Sequence, residues 1–472
     1  MTRTLRIKLG LAGVIAAAAC SPSDLLKVTN PDIINPTDVT TPGGVAALYA
    51  GAFGDFDVAY ISDNGGEGGL AIVTGSFSDE LVNSETFPTR IEYDHRGPID
   101  LKNSSLLTLF RRVHRARRSA EVAAAAIKAV DAAPLTDPRI GEMYSLAGLI
   151  YTGMAEAYCN GMPVSDATLD GTLTFSDPLT TTAVYTRAVD RFDSALKYFG
   201  ANANVSLAKI GLARTLLDLN QPAAAAAAVA GVPTNYVYNL TFNLGVTAQN
   251  NPVYGFMNLN ARFSVANKDG GNGINFRDAL DPRVPWARVP ATRLGFDKAT
   301  PQFDQGHYFN ESAPIAIATG VEARLIEAEA ALAAGDATTW LTTLNTLRAN
   351  AALYPKTFPA VFPLPPAGSS FLPGFTQPPP LVDPVDPAAR VDMMFRERAF
   401  WLYLTDHRLG DLRRLVTQYG RTASSVFPGG GGAQYVVDGV PKGGVFGNDV
   451  NLPIPSDELN NPKFTSCIDR NP

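Results

Sequence analysis

Apolar residues recur three or four positions apart along several stretches of the chain, the spacing of one face of an α-helix. Between Thr181 and Phe199 the stripe is Tyr185, Ala188, Val189, Phe192, Leu196 and Phe199. Leu207, Ile210, Ala213 and Leu217 continue the pattern in a following helix. Met143, Ala147, Ile150, Met154 and Ala157 form a stripe rich in small residues, which lets a partner helix approach closely. Val321, Leu325, Ala328 and Leu332 predict a helix that stops at Gly335. Asp336 then caps another, whose buried face is Trp340, Leu344 and Leu347. A last pair of helices covers Arg390 to Val416.

These helices fall into antiparallel pairs with short turns, 181–199 with 204–219 and 321–334 with 336–350. Helix–turn–helix units of this size resemble tetratricopeptide repeats, here scattered rather than contiguous. Between them lie stretches rich in Gly, Pro, Asn and Thr: 54–100, 160–180, 233–320, 351–388 and 420–472. Their aromatic content predicts packed loops rather than loose insertions, and loops of such length are usually functional. The fold class expected is mainly α, with tetratricopeptide-like helix pairs as a scaffold and long irregular loops packed on one side.

The N-terminus adds a targeting signal. Arg3, Arg6 and Lys8 precede the apolar run Leu9 to Ala19, which is too short to span a bilayer, and Cys20 follows. The pattern is similar to a bacterial lipoprotein signal over 1–19, with Cys20 as the lipidated N-terminus of a single domain over 20–472. Ala17 stands where such signals usually carry Leu, so an ordinary secretory signal cut near Ala19 is the alternative. Ser21 follows Cys20 with no Asp beside it, which favours the outer membrane. The net charge of −6 becomes about −9 without the three basic residues of the signal. That balance excludes nonspecific nucleic-acid binding, which needs a basic surface. Of the remaining cysteines, Cys159 and Cys467 are expected to pair in an oxidising compartment, two free thiols being the alternative.

The chain offers little catalytic chemistry. His95, His114, His307 and His407 lack the spacing of a helical zinc pair, and no HExxH, GxSxG or Walker loop occurs. The glycines Gly429 to Gly432 are not followed by Lys-Ser/Thr. Asp79–Glu80 and Asp457–Glu458 are adjacent acids, a pattern expected to be solvated rather than catalytic. No cofactor and no metal site is expected. The densest polar cluster is Phe395 to Leu415, where Arg and acidic residues three to five apart alternate with apolar ones. It predicts a buried ion-pair network that fixes one packing arrangement.

At this segment the chain resembles the SusD/RagB family of outer-membrane nutrient-binding lipoproteins. Glu397, Arg398, His407, Arg408, Asp411, Leu412 and Arg414 match that family's Glu-Arg…Arg…Asp-Leu-x-Arg signature in order. Trp401 and Thr405 stand where glutamates are common, and Asp406 where glycine is common. LPIPSDELNNP from Leu452, EARLIEAEAAL with TTLNTLRANA from Glu322, GEMYSLAGLIYTGMAEAYCNGMPVS from Gly141 and the early LLKVTNPDIINP are similar to further family segments.

The resemblance implies a surface lipoprotein that captures oligosaccharide or peptide and passes it to a SusC-like, TonB-dependent β-barrel transporter, without catalysis. The structural ion-pair motif would be Glu397, Arg398, Arg408, Asp411 and Arg414. Ligand aromatics do not sit in a family motif. Trp340 and Trp401 fall on predicted helices and are assigned to the core. The loop rings Tyr60, Phe87, Tyr93, Trp286 and Tyr308 remain as ligand-binding candidates. An envelope scaffold without a nutrient ligand, or a hydrolase using loop carboxylates, are the alternative functions.

Overall fold

The computed structural model describes residues 41–63, 68–167, 172–430 and 432–472. The signal segment, Cys20 and LLKVTNPDIINP lie outside the described residues. The chain is mainly α. The principal helices are α1 (Pro42–Tyr60), α2 (Leu70–Phe77), α3 (Pro88–Asp94), α4 (Ser104–Val130), α5 (Pro138–Ala157), α6 (Thr181–Phe199) and α7 (Val205–Asp218). They continue with α8 (Pro222–Ala228), α9 (Gly320–Ala333), α10 (Ala337–Ala349), α11 (Pro387–Trp401) and α12 (Arg408–Thr417). The longer strands form two-stranded antiparallel ribbons. β1 (Leu81–Asn83) pairs with β3 (Phe263–Val265), β2 (Val237–Leu240) with β4 (Ile315–Thr319), and β5 (Gln434–Val437) with β6 (Val440–Val445). Among the described residues, no helix is long and apolar enough to cross a membrane.

Helix α5 is the centre of the scaffold. It packs against α4, α6 and α7, and nearly all of its side chains are buried. The small residues make this contact possible. A Cβ placed on Gly148 would lie 2.7 Å from the Phe192 ring of α6, and one on Gly211 of α7 only 2.4 Å from the same ring. Phe192 therefore fills a slot between three helices that side chains at those glycines would close. Outward from α5, the helices continue as packed neighbours: α6 with α7, α7 with α8, α8 with α9, and α9 with α10. One apolar core runs from Val45 to Phe464. A small second cluster, Ala287, Phe362, Leu372 and Phe375, holds the proline-rich stretch after α10 against Trp286.

The stretch 54–100, expected to be a loop, contains the end of α1, α2 and α3. All eight residues of α2 are buried, so it has no polar face and no amphipathic period to detect. The adjacent acids Asp79 and Glu80 are also buried, contrary to expectation. Asp79 receives the Arg408 guanidinium at 2.5 and 2.9 Å. Glu80 accepts the Leu404 N–H at 3.2 Å, and burial pushes its pKa up to about 8.

The polar segment of α11 and α12 ties loops and scaffold together. Arg398 donates to both oxygens of Asp411 at 3.0 and 2.8 Å. Arg414 donates to Asp411 at 2.9 Å and to Glu329 of α9 at 2.5 and 3.1 Å. Glu397 accepts from Arg283 of the loop region at 2.6 and 3.2 Å, and from Arg348 of α10 at 3.0 and 2.5 Å. Arg283 is held in turn by Asp281 at 2.9 and 2.6 Å. Arg413 donates to the carbonyls of Ala155, Glu156 and Tyr158 at 2.7, 2.6 and 3.2 Å, satisfying groups that the end of α5 leaves without intrahelical partners. Asp406 has φ +62°, a left-handed conformation that favours glycine. The acid fits because Thr74 donates to its Oδ1 at 2.8 Å.

Cys159 and Cys467 are bridged, with a sequence separation of 308 residues. The bridge joins the end of the α5 segment to the C-terminal tail. Beside it, the Cys159 N–H donates to the Leu452 carbonyl at 2.9 Å, and the Ile468 N–H to the Asn160 carbonyl at 2.8 Å.

Two outcomes follow from this packing. Burial alone would raise the pKa of Glu397, but Arg283 and Arg348 outweigh it and bring it down to about 2. A depressed carboxylate contributes stability that is present above its unfolded pKa and lost as pH falls toward its folded one. Glu397→Gln should therefore lower unfolding stability by about 3 kcal/mol at pH 7. The gap to the parent should shrink as pH drops from about 4.5 to 2, as measured by urea unfolding at each pH; a gap independent of pH would contradict this account. Replacing Cys159 and Cys467 together with serine should lower stability by roughly 2–4 kcal/mol and make the tail the first site of limited proteolysis. An unchanged denaturation midpoint and digestion pattern would count against the bridge.

Candidate functional site

A pocket of 420 Å³ opens where the β2–β4 ribbon, the start of α9, the segment after α10 and the end of α11 meet. That size lies in the range of small-ligand sites. Each wall has a local cause. Trp401 is the last residue of α11, where the chain leaves the helix, and its ring packs against the core and lines the pocket. One guanidinium, that of Arg283, lies 5.0 Å from the Trp401 ring centroid and so holds the ring against the ion-pair network. Tyr354 packs on Trp401 with centroids 5.2 Å apart, and its hydroxyl donates to the Arg348 carbonyl at 2.8 Å. Arg283 and Arg348 are the two partners of Glu397, so the aromatic wall is built directly on that carboxylate.

The opposite wall carries His307 and Tyr308. Gln305 fixes this turn, its Oε1 accepting from the Tyr308 N–H at 2.8 Å and its Nε2 donating to the Tyr308 carbonyl at 3.1 Å. The His307 ring stacks on Tyr403 with centroids 5.8 Å apart. Burial lowers the His307 pKa to about 4, more than the Arg283 backbone raises it, so the ring is neutral near pH 7. The floor includes Glu322 and His407, whose Nε2 is 2.9 Å from the Glu322 carboxylate. The Arg283 guanidinium is already paired with Asp281 and Glu397, and the Glu322 carboxylate is hydrogen-bonded to His407.

Three polar atoms of the lining have no partner: Trp401 Nε1, a donor, His307 Nε2 and the Tyr236 hydroxyl. Buried polar groups without partners cost about 1–3 kcal/mol each, so their presence in one pocket marks a place for ligand or water. Flat rings with uncharged hydrogen-bonding groups suit an uncharged polar ligand that has both apolar faces and hydroxyls. Among the described residues, no group of three or more His, Cys, Asp or Glu side chains could hold a metal ion.

Of the five rings proposed from the sequence, only Tyr308 lines this pocket. Tyr60 is fully buried, donating its hydroxyl to the Thr405 carbonyl at 3.0 Å, and Tyr93 is fully buried within α3. Neither presents a face to a ligand, which corrects their assignment. Phe87 is 47% exposed, with Arg90 and Arg262 at 5.0 and 5.5 Å from its ring centroid. Trp286 is half-buried against Phe303 and Phe375, and its Nε1 donates to the Arg277 carbonyl at 3.3 Å. Trp340 is core, as expected, and Trp401 is partly buried against the core while also lining the pocket. The signal for Trp401 was its position at the very end of a helix. Nothing local in the sequence marked His307 or Tyr354.

The whole architecture has close counterparts among solved structures. A SusD superfamily protein from Parabacteroides distasonis superposes with a TM-score of 0.61 at 11% identity, over 90% of this chain and 98% of that one. A laminarin-binding SusD-like protein matches with a TM-score of 0.59 at 15% identity, over 92% and 100% of the two chains. A SusD-like carbohydrate-binding protein from Bacteroides vulgatus matches with a TM-score of 0.56 at 15% identity, over 78% and 82%. No family model matches the chain, and no curated protein matches its sequence. At these identities the likeness establishes the architecture: the chain has the mainly α fold of SusD-like proteins.

Proposed function

We propose that this protein is a non-catalytic glycan-binding protein of the cell envelope, anchored through Cys20 to the outer membrane, that hands its ligand to a SusC-like, TonB-dependent transporter. The observation that carries the binding part is the preformed pocket, lined by Trp401 and Tyr354, in which Trp401 Nε1, His307 Nε2 and the Tyr236 hydroxyl lack partners. A sugar ring stacks its C–H face on an aromatic and satisfies such atoms with its hydroxyls. Two of the neighbours in fold are named for what they bind, one for carbohydrate and one for laminarin. Arg283 is already paired with Asp281 and Glu397, so it is not free to take a peptide carboxylate, which favours a neutral glycan. The transporter and the lipid anchor rest on the resemblance of the sequence signature and of the segment before Cys20.

Titration calorimetry against a panel of neutral oligosaccharides, laminarin fragments included, tests the binding reading. Trp401→Ala should weaken binding about tenfold or more. Trp401→Phe, which keeps a ring and removes the donor, should lose roughly three- to tenfold. Affinity unchanged in both, with the fold intact by circular dichroism, would remove this pocket from the account. Purification of the lipidated protein from its native membranes in mild detergent should recover a large TonB-dependent barrel in near-equal amount. Recovery of other envelope proteins and no barrel would favour the scaffold reading.

A further inference from the structure

A second cavity, of 580 Å³, lies between α1 and the segment 239–250 and adjoins the pocket described above at Asn239. Its lining contains two carboxylates, several amides and the rings of Phe53 and Phe242, and no Lys, Arg or His. The two acids differ. Asp55 is neutralised by Arg115 at 2.8 Å. Asp57 has no such partner, and its Oδ1 accepts no hydrogen bond.

Three features make Asp57 costly for the fold alone. It sits in the last turn of α1, the negative end of the helix dipole, where no basic residue offsets it. Its Oδ1 is withdrawn from solvent without a donor. Burial pushes its pKa up to about 7, with no charged neighbour opposing the shift. Asn250 repeats the pattern from the other wall. It is 7% exposed, and its Nδ2 donates to Glu311 at 2.9 Å, which fixes the amide so that Oδ1 is the free acceptor. That Oδ1 also has no partner. The cavity thus combines two orphaned acceptors, one of them on an acid with no ion-pair partner, with the rings of Phe53 and Phe242 in its lining.

We propose that this cavity binds a ligand through a protonated primary amine. An ammonium supplies three N–H donors to the orphaned oxygens and a positive charge to Asp57, and it is attracted to the faces of Phe53 and Phe242. A neutral sugar supplies donors but not the charge. The amine could belong to an amino sugar or to a lysine side chain of a peptide, since the recognising chemistry is the same. This site is independent of the glycan reading of the first pocket.

Titration calorimetry of the mature chain with glucosamine, lysine amide and glucose, at constant ionic strength, tests the proposal. At least one amine should bind ten or more times tighter than glucose, and which of the two binds identifies the source. Asp57→Asn should reduce amine affinity at least tenfold. That variant removes an unpaired buried acid and should melt no lower than the parent, which separates lost binding from lost folding. Asn250→Ala, which leaves α1 untouched, should also weaken the amine, and Trp401→Ala should leave it unchanged. Failure of both amines to bind, equal binding of glucose and glucosamine in Trp401→Ala, or parental affinity in Asp57→Asn would overturn it.

Discussion

The rest of this structure depends on the pairing of buried guanidinium groups with buried carboxylates around α11 and α12. Such groups cannot be left half-matched, because an unpaired buried charge costs several kcal/mol. The pairing is not confined to the two helices. Glu397 joins Arg283 from the loop region to Arg348 from α10, Arg408 reaches Asp79 beyond α2, and Arg414 reaches Glu329 on α9. Each pair fixes two distant segments at once, so irregular loops acquire a defined position on the helices. An apolar contact could hold them with similar strength, but it would not select one register so strictly.

The first pocket inherits its geometry from this network. Arg283 is both a partner of Glu397 and the cation packed on the Trp401 ring. Arg348 is both a partner of Glu397 and, through its carbonyl, the anchor of the Tyr354 hydroxyl. One carboxylate therefore sets the positions of both rings before any ligand arrives. A binding face organised in advance loses little conformational freedom on capture, which is how a shallow site of few contacts can still be selective. The scaffold supplies the rigidity behind it, with Phe192 locked between glycines of neighbouring helices.

Much of the scaffold was legible in the sequence. The stripes of Thr181 to Phe199 and of Leu207 to Leu217 fall on α6 and α7, and those of Val321 to Leu332 and Trp340 to Leu347 on α9 and α10. Amphipathic helices declare themselves because one face meets water. Helix α2 did not, since water reaches no side of it. The longest helix, α4, carries a stripe of Leu106, Leu109, Val113, Ala116, Ala120 and Ile127. The basic run Arg111 to Arg118 and the alanines near its end mask that stripe, and one of those arginines, Arg117, is itself buried. The polar cluster of α11 and α12 was visible as a cluster. Its partners Asp79, Arg283, Glu329 and Arg348 were not, because they come from elsewhere in the chain. The site was least legible: Tyr308, Tyr354 and Trp401 meet only through the folded ribbon and loops, while Tyr60 and Tyr93 look like loop rings in sequence and are core in space.

The central claim is that the ion-pair network makes loop region and scaffold one cooperative unit. Native-state hydrogen exchange read segment by segment tests it most directly. The account predicts that backbone amides hydrogen-bonded in 279–285 and in α11 and α12 exchange with the same free energy as those of α5, through global unfolding. Exchange of those segments at a much lower free energy than α5 would show that the loop face opens on its own, and would contradict the account.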